Sequence, residues 1–393
     1  MKLSQVLFKQ HKGRLIRKIW QTQCERPVIP TKAEHILSAL NMKIEDPVEI
    51  KSAEEFLDLS SFILESIIHN LYILEGMSQA RALTKTLLVS NELPERIMET
   101  QLTLIPNSKI SRTVLFRLVK TSCIFDAQQE KLPIVKDPER PAWVFPRSYG
   151  ITAPRKMNNL TRNLLQYCEI LSGTKIAQQR NFVQHGYIAS TLDVLNLAAT
   201  IDFMITSPMC EKTLKNPTPH EASELPDLYP LHHMLGLSQS NIYKAQTVYP
   251  IHETSLWLKP HTVILHYDPE SVKNKTELPT REDQILSHAL MKTFITAVTY
   301  ARVKFGNNVK ALAEPVTVQC ILTNGQAFNF GAFQLNTLNF DRKDGLMNYW
   351  WLTPNIELYS KAEYESGKPV CSDYNPEVFE TLLAFYKNQP GIV

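Results

Sequence analysis

The stretch from Pro315 to Asn336 constrains the fold more than any other part of the sequence. Two β-rich runs, residues 316–322 and 326–335, lie on either side of an Asn324-Gly325 pair. Asn-Gly between alternating apolar runs is the strongest short-range signal for a β-hairpin. The sequence therefore predicts two antiparallel strands that are joined by a tight turn.

The length of the turn decides which side chains face each other across the hairpin. A two-residue loop would place Cys320 opposite Asn329. A three-residue loop, with Gly325 in the left-handed conformation, places Cys320 opposite Phe328 and stacks one continuous apolar face, so we predict this loop. Further along, the apolar alternation changes phase at Gly331, which indicates a second bulge or a close backbone approach.

The composition is that of a soluble globular protein, since 44% of the 393 residues are apolar and 21% are charged. Such a chain can form one large domain or about two to three ordinary ones. No run approaches the roughly 18 apolar residues of a membrane span. The six cysteines are scattered without a CxxC pair, which excludes a zinc knuckle, offers no disulfide framework and favours a reducing compartment.

Positive charge is concentrated at the N-terminus. The first 24 residues carry six basic side chains and no acid, which leaves 36 basic against 39 acidic residues, about −3, in the rest of the chain. The six are Lys2, Lys9, Lys12, Arg14, Arg17 and Lys18. This composition is typical of a mitochondrial targeting segment, and it also suits an arm on nucleic-acid phosphates or a solvated terminus. The negative body argues against an RNA-processing factor with a broadly basic surface.

Proline content and helix signals divide the chain into three regions. We predict a basic arm or targeting segment over residues 1–50, a helical region over 51–150 that ends in a proline-rich connector, and an α/β core domain over 151–393. Helices are predicted over 52–74, 78–88, 109–123, 157–171 and 281–305, with Thr280 as the cap of the last, and from Asn375-Pro376 onward. Further strands are predicted over 181–187, 195–206 and 256–267.

A second basic surface is predicted on the helix over residues 109–123. No acidic residue occurs between Thr100 and Phe125. On a helical wheel the basic side chains fall within one arc opposite the apolar residues. These side chains are Lys109, Arg112, Arg117 and Lys120. The arc is either a stripe that contacts phosphates or an ordinary solvated face.

Motifs that carry catalysis are missing from the sequence. It contains no GxxxxGKS/T, GxGxxG, GxSxG or HExxH, so nothing indicates a phosphate loop, a hydrolase elbow or a zincin. We interpret the histidines, among them His261 and His266, as satisfied core groups rather than metal ligands. The sequence therefore predicts no catalytic, cofactor-binding or metal-binding residue and no small-molecule substrate.

Four blocks of sequence resemble one protein family in the same order. They are Leu74-Glu75-Gly76 with Leu83-Thr84-Lys85-Thr86 and Leu93-Pro94-Glu95; Asn241-Ile242-Tyr243 with Pro260-His261-Thr262; Arg302 with Phe305-Gly306-Asn307; and Glu314 to Cys320, Thr323-Asn324-Gly325 and Phe333 to Thr337. They are similar to the family of mitochondrial ribosomal large-subunit protein thirty-seven, and its paralogue, once numbered small-subunit protein thirty, shares the last block. The chain departs from the family in an N-terminal arm that does not align and in Gly331, where a bulky residue is expected.

The resemblance implies a non-enzymatic, structural constituent of the mitochondrial ribosome's large subunit, which serves mitochondrial translation in the matrix. It implies large-subunit ribosomal proteins as partners, including a paralogue as heterodimer, and contacts of the basic arm and stripe with the rRNA backbone. The expected fold is α+β: a mixed β-sheet with a C-terminal β-hairpin packed by long helices, plus an N-terminal helical region and an extended arm.

The competing hypothesis is a soluble mitochondrial matrix enzyme with an α/β core. Its site would lie near His261, His266 and the hairpin, and it would need a pocket with converging polar groups. If the hairpin strands are central and buried on both faces, this hypothesis loses its location.

Overall fold

The protein was studied as a computed structural model. It describes residues 32–40, 64–67, 76–104, 110–132, 139, 149–192, 195–209, 213–226, 238–239, 247–268, 280–340, 344–365 and 368–388. The chain divides into two compact units, Met1–Asp58 and Leu59–Val393. In the first unit the structure describes helix α1, Lys32–Ala39, with the following residue. The basic N-terminal residues up to Lys18 lie outside the described residues.

The second unit contains both long helices and long strands. Its described helices are α2 (Met77–Thr84), α3 (Glu95–Leu104), α4 (Arg112–Cys123), α5 (Ala153–Ser172), α6 (Thr174–Ala177), α7 (Glu282–Phe305) and α8 (Glu377–Lys387). The strands of its main sheet are β1 (Leu64–Ile67), β2 (Thr86–Ser90), β5 (Asn181–Leu192), β6 (Leu195–Ser207), β8 (Ser238–Gln239), β9 (Thr247–Val248), β10 (Lys259–His266), β11 (Ala311–Thr323), β12 (Ala327–Thr337), β14 (Asn348–Leu352) and β15 (Ile356–Glu357). Three small ribbons pair β3 (Glu130–Lys131) with β4 (Tyr149–Gly150), β7 (Pro219–His220) with β13 (Gly345–Leu346), and β16 (Lys361–Glu365) with β17 (Lys368–Ser372).

The main sheet is mixed, which confirms the predicted α+β fold. Its strand order is β2-β14-β12-β11-β10-β6-β1-β8, with β5 and β9 continuing beside β6 and β15 pairing with β12. The pairs β11–β12 and β10–β6 are antiparallel, whereas β10–β11 is parallel. Adjacent parallel strands need a crossover, and α7 supplies it between β10 and β11. Among the described helices, none is both long and apolar enough to cross a membrane.

Helices cover the central part of the sheet on both faces. One hydrophobic cluster joins α7 and α2 to one face, through side chains such as Phe294 and Ala80. A second cluster joins α5 and α8 to the other face, through side chains such as Leu164 and Phe385, and α3 and α4 pack outside them. All residues of β12 are buried. The hairpin is therefore core on both faces.

The predicted register of the hairpin was wrong in detail. Cys320 faces Gly331, and the last pair is Thr323 with Phe328, so the loop contains four residues with Gly325 at its tip. Side chains impose this geometry, because the Asn324 carboxamide oxygen accepts the N–H groups of Gln326 (2.9 Å) and Ala327 (2.7 Å). The predicted pairing of Cys320 with Phe328 on one face is therefore not formed. Val318 and Cys320 pack with Phe333 on one side of the sheet, whereas Phe328 and Phe330 pack on the other side.

The close approach predicted at Gly331 is confirmed. A Cβ atom added there would lie 2.9 Å from Cη2 of Trp350 and 2.9 Å from the carbonyl oxygen of Trp351. Pairing on both sides of Gly331 continues without a bulge. The glycine therefore makes room for the indole ring of the neighbouring strand.

Two of the predicted helices were wrong in part. Residues 64–67 form strand β1 beside β6, and not a helix; the rest of the predicted helix over 52–74 lies outside the described residues. The next helix ends at Thr84, because Lys85 takes the left-handed conformation (φ 49°), and the following residues form edge strand β2 beside β14. Short apolar runs do not distinguish strand from helix, and pairing with the sheet decides.

The long helices agree with prediction, with small differences at their ends. Helix α7 is capped by Arg281, whose backbone N–H donates to Gln284, and not by Thr280. Helix α5 begins at Ala153 and ends before Gly173, whose φ is 79°. Helix α8 begins at Glu377 with Pro376 as its N-cap, one residue later than predicted, and the Asn375 side chain accepts the N–H of Glu377 (3.0 Å).

Candidate functional site

Helix α4 carries the predicted basic stripe. The helix forms because Leu115, Val119 and Cys123 recur every four residues and are buried. This apolar face packs on α5 and on the β16–β17 ribbon. The opposite face is therefore left to solvent or to a partner molecule.

Two of the basic side chains are exposed on that face. Arg112 and Arg117 are exposed, and Lys120 is half-buried with its ammonium 4.2 Å from the centre of the Phe116 ring. Within the described part of the chain, none of these three forms an ion pair. Their charges are thus available to an anionic partner. Lys109 lies outside the described residues.

The remaining candidate residues belong to the N-terminal arm. Lys2, Lys9, Lys12, Arg14, Arg17 and Lys18 all lie outside the described residues. Their role as phosphate contacts stays a prediction from composition.

Charged side chains of the β16–β17 ribbon beside α4 form ion pairs with each other. Lys361 pairs with Glu363 (3.6 Å) and with Glu365 on its own strand. The aromatic rings of Tyr364 on this ribbon and Phe125 after α4 meet edge to face, 6.2 Å apart, although both are exposed. The uncompensated positive charge of this region therefore lies on the helix and not on the ribbon.

A charged pair that the sequence reasoning missed links α4 to α5. Arg155 is ion-paired with Asp126 and donates from Nη2 at 3.0 Å, and Asn159 donates to the same carboxylate at 3.1 Å. These hydrogen bonds, foremost that of Arg155, lower the pKa of Asp126 to about 2. The signal that could have found them is the polar spacing on the exposed face of α5.

The location proposed for an enzyme site near His261 is packed core. His261 is buried, its Nε2 donates to the carbonyl oxygen of Asn388 (2.8 Å), and its Nδ1 lies 2.7 Å from the Thr262 hydroxyl. Gln319 donates to Thr262 at 2.9 Å and accepts from Asn388 at 3.0 Å. This network of hydrogen bonds attaches the end of α8 to the sheet.

The imidazole of His266 is buried and has a strongly shifted pKa. Burial lowers its pKa to about 4; His185 and Lys292 act in the same direction, while Asp202 opposes them. Its Nε2 lies 2.9 Å from the hydroxyl of Thr161 on α5. Only 6% of the side chain is exposed, so a substrate in solution does not reach it.

The Cys320 thiol, on the strand beside β10, is unreactive. Cys320 on β11 is buried, and burial raises its pKa to about 12, although a hydrogen bond with Thr293 works against the shift. A thiol rather than a thiolate is present at neutral pH, and a thiol is a poor nucleophile. Among the described residues, no group of three or more His, Cys, Asp or Glu side chains could hold a metal ion.

Comparison with known proteins gives matches along most of the chain. A family model described as mitochondrial 28S ribosomal protein S30 (PDCD9) matches residues 265–390. Large ribosomal subunit protein mL37 of Rattus norvegicus is 26% identical in a match of length 343, and the match covers 80% of this chain and 72% of the rat protein. The mL37 of Gallus gallus is 32% identical in a match of length 170, which covers 41% of this chain and 39% of the chicken protein. Over most of its length the chain is similar to the mL37 proteins.

The resemblance that the sequence blocks indicated is thereby confirmed. The family model, named for a small-subunit protein, covers only the part from the end of β10 to the end of α8, which includes the hairpin. The similarity to mL37 of rat and mouse extends over 80% of the chain. The longer match is therefore the one to the mL37 proteins, and the match to the family model covers the shorter part.

Proposed function

We propose that this chain is a structural, non-enzymatic constituent of the large subunit of the mitochondrial ribosome and serves mitochondrial translation. The observation that carries the proposal is the similarity over 343 residues to proteins named large ribosomal subunit protein mL37. Such a protein acts through contacts along its surface, and mitochondrial localisation follows from the same similarity.

The architecture supports this proposal. Strand β12 and the part of β11 from Val316 to Thr323 are buried between helices on both faces, and the histidines beside them are held in core contacts. The part of the molecule where the competing hypothesis places an enzyme site is thus packed core. What the protein offers to partners is its outer surface, including the basic face of α4.

We assign two kinds of contact to this surface. Arg112, Arg117 and Lys120 on α4, with Lys109 and the basic arm of Lys2 to Lys18, are proposed to neutralise rRNA phosphates, and such contacts position a protein without reading sequence. The body outside the arm has a net charge of about −3. It suits protein neighbours, among which we propose a paralogous partner in a heterodimer.

Sedimentation tests the assembly. In a sucrose gradient of mitochondrial lysate, the chain should travel with the large subunit and be released only at high salt or on disassembly of the particle. If the chain were found solely in a soluble fraction of low mass, the proposal would be rejected.

Charge reversal tests the RNA-facing surface of α4. The variant Arg112→Glu/Arg117→Glu should leave the subunit at a lower salt concentration than the wild type, because fewer phosphates are neutralised. The matched control, Lys175→Glu/Lys310→Glu, reverses two exposed charges away from α4 and its neighbouring ribbon and should dissociate like the wild type. Equal salt profiles for the two variants would show that α4 presents only a solvated face.

Charge reversal also tests the arm. Replacing Arg14, Arg17 and Lys18 by glutamate should abolish mitochondrial import or loosen attachment to the subunit, since both depend on positive charge. Import and attachment that match those of the wild type would assign the arm no role.

A further inference from the structure

A cavity of about 370 Å³ opens beside the N-terminal half of α5. It is lined by Glu130, Thr152, Pro154, Arg155, Asn158, Asn159, Arg162 and Gln184. Small-molecule sites in proteins begin at roughly 300 Å³, so the cavity has the size of a small ligand. Its lining is polar, in contrast to the two hydrophobic clusters inside the protein.

One face of α5 forms the main wall. Arg155, Asn158, Asn159 and Arg162 are spaced by three, four and seven residues, which places them on the same side of a helix. The opposite side, with Met157, Leu160 and Leu164, is buried in the core. The polar side chains are therefore fixed toward the cavity, over about 10 Å of helix axis between the two arginines.

The charges of the cavity balance closely. Arg155 is neutralised by Asp126, and one further acid, Glu130, lines the wall. Arg162 is exposed and forms no ion pair with a described residue, and the first turn of α5 contains no acidic side chain. The N-terminus of the helix adds a partial positive charge at Thr152. A group with one negative charge fits this balance better than a polyphosphate.

Three carboxamides supply donors and acceptors beside the arginines. Asn158 and Asn159 stand on α5, and Gln184 reaches the cavity from β5. The Asn158 Oδ1 atom is buried without a hydrogen-bond donor, a cost that a donor from a ligand would relieve. Carboxamides and arginine pair with the edges of nucleobases, and RNA is read mainly through bases that are turned out of the stack.

We propose that this cavity binds a single nucleotide turned out of an RNA strand. Its base would meet the carboxamides, and its singly charged phosphodiester would lie at Arg162. The inference rests on the proposed function in that it takes RNA as the partner. It goes beyond backbone contacts, because an enclosed base gives the chain a fixed register on the RNA.

Photo-crosslinking of the purified full-length chain to a short single-stranded RNA with 4-thiouridine tests the proposal. We expect crosslinked peptides from α5 or β5, and a loss of about tenfold or more in this crosslink for Arg162→Ala and for Gln184→Ala. The control Gln166→Ala changes an exposed residue of α5 outside the lining and should crosslink like the wild type. Thermal unfolding of each variant verifies that it is folded.

Several outcomes of this experiment would contradict binding of a nucleotide in the cavity. Crosslinks confined to other elements, or an α5 crosslink that survives both Arg162→Ala and Gln184→Ala, would overturn the proposal. Competition with free nucleoside monophosphates separates the two sources of a nucleotide. Displacement of the RNA by an equimolar monophosphate would identify a free nucleotide as the ligand and overturn the strand-bound assignment, whereas persistence of the crosslink supports it.

Sedimentation keeps this test apart from that of the ribosomal function. If the chain travels with the large subunit but no α5 crosslink forms, the cavity proposal fails alone. If the crosslink forms and the chain never travels with the subunit, the ribosomal function fails alone.

Discussion

Helices α5 and α7 are the two longest helices of the described chain, with 20 and 24 residues, and they pack on opposite faces of one sheet. Helix α7 is buried on all sides from Ser287 to Ala301. Helix α5 is buried on one side only, and its other side lines the polar cavity.

The sequences of the two helices record this difference. Along α7, Thr293, Thr296 and Thr299 donate to the carbonyl oxygens four residues earlier at 2.7–2.8 Å, so even the polar side chains need no outside partner. Along α5, the apolar side chains follow the helical period and alternate with arginine and asparagine. A helix enclosed by its own protein holds the fold, whereas a helix with a free polar face can meet another molecule.

Truncating one side chain on each helix should give the largest difference between the two helices in the free energy of unfolding. Phe294 on α7 is buried and meets Phe333 and Phe340 at 6.0 and 6.1 Å. Phe294→Ala should lower the free energy of unfolding by about 3–5 kcal/mol, because a cavity replaces the ring. Ile170→Ala, at a position on α5 that is 75% exposed, should change it by less than about 0.5 kcal/mol. Comparable losses in chemical denaturation would break the comparison.

Added volume in the sheet should show the same tight packing under α7. Gly331→Ala inserts a Cβ against Trp350 and should destabilise the protein by about 1–3 kcal/mol. The control is Gly186→Ala in β5, where the nearest atoms to a new Cβ are 3.4 and 3.5 Å away. This change should be neutral or slightly stabilising, since alanine suits a strand better than glycine. A neutral Gly331→Ala would mean that the indole can move aside.

His266 on β10, which contacts Thr161 on the buried side of α5, should make the stability of the protein depend on pH. Burial depresses the pKa of His266 to about 4 in the folded chain, against 6.5 when unfolded. Stability from this residue is fully present above pH 6.5 and falls as the pH drops toward 4, because the unfolded chain then binds the proton first. The loss is at most about 1.4 kcal/mol per pH unit. Urea titrations of His266→Gln should show a smaller slope in this window, and an unchanged slope would contradict the assignment.

The ion pair on the exposed side of α5 should contribute least to the free energy of unfolding. Asp126→Asn removes an ion pair at a partly exposed site and should cost no more than about 1 kcal/mol at pH 7. The pKa of Asp126 is lowered from 3.8 to about 2, so its contribution is present above pH 4 and is lost as the pH falls through 2. The variant should lose this acid dependence, whereas Glu253→Gln, at an exposed residue, should retain it. A large loss at pH 7 would make the pair structural.

Several features of this chain were readable without a structure. The long helices and the strands before and after α7 follow from apolar periodicity and caps. The change of phase at Gly331 predicted the close approach that the indole of Trp350 makes. The hairpin was predicted as well, but its four-residue loop depends on how one asparagine side chain accepts two backbone N–H groups. The apolar pattern of the two strands does not identify the register by itself, because the length of the loop depends on these side-chain hydrogen bonds.

The cavity was not predicted, although the arginines and asparagines of α5 lie at helical spacing. Their pattern is equally that of a solvated face, and Asp126, Glu130 and Gln184 come from distant parts of the chain. Only packing brings α5 and β5 together around this space. Polar side chains on one face of a helix become a candidate binding site only where a second element encloses the space beside them.

By itself the sequence determined the class of fold, the position of the central hairpin and the family, because these depend on local periods, turn residues and ordered blocks. The tertiary structure decided the register of the hairpin, the conversion of residues 64–67 and 86–90 into strands, and the burial of His261 and His266. These depend on hydrogen bonds and contacts between residues far apart along the chain, whose free energies exceed the local preferences that a sequence displays.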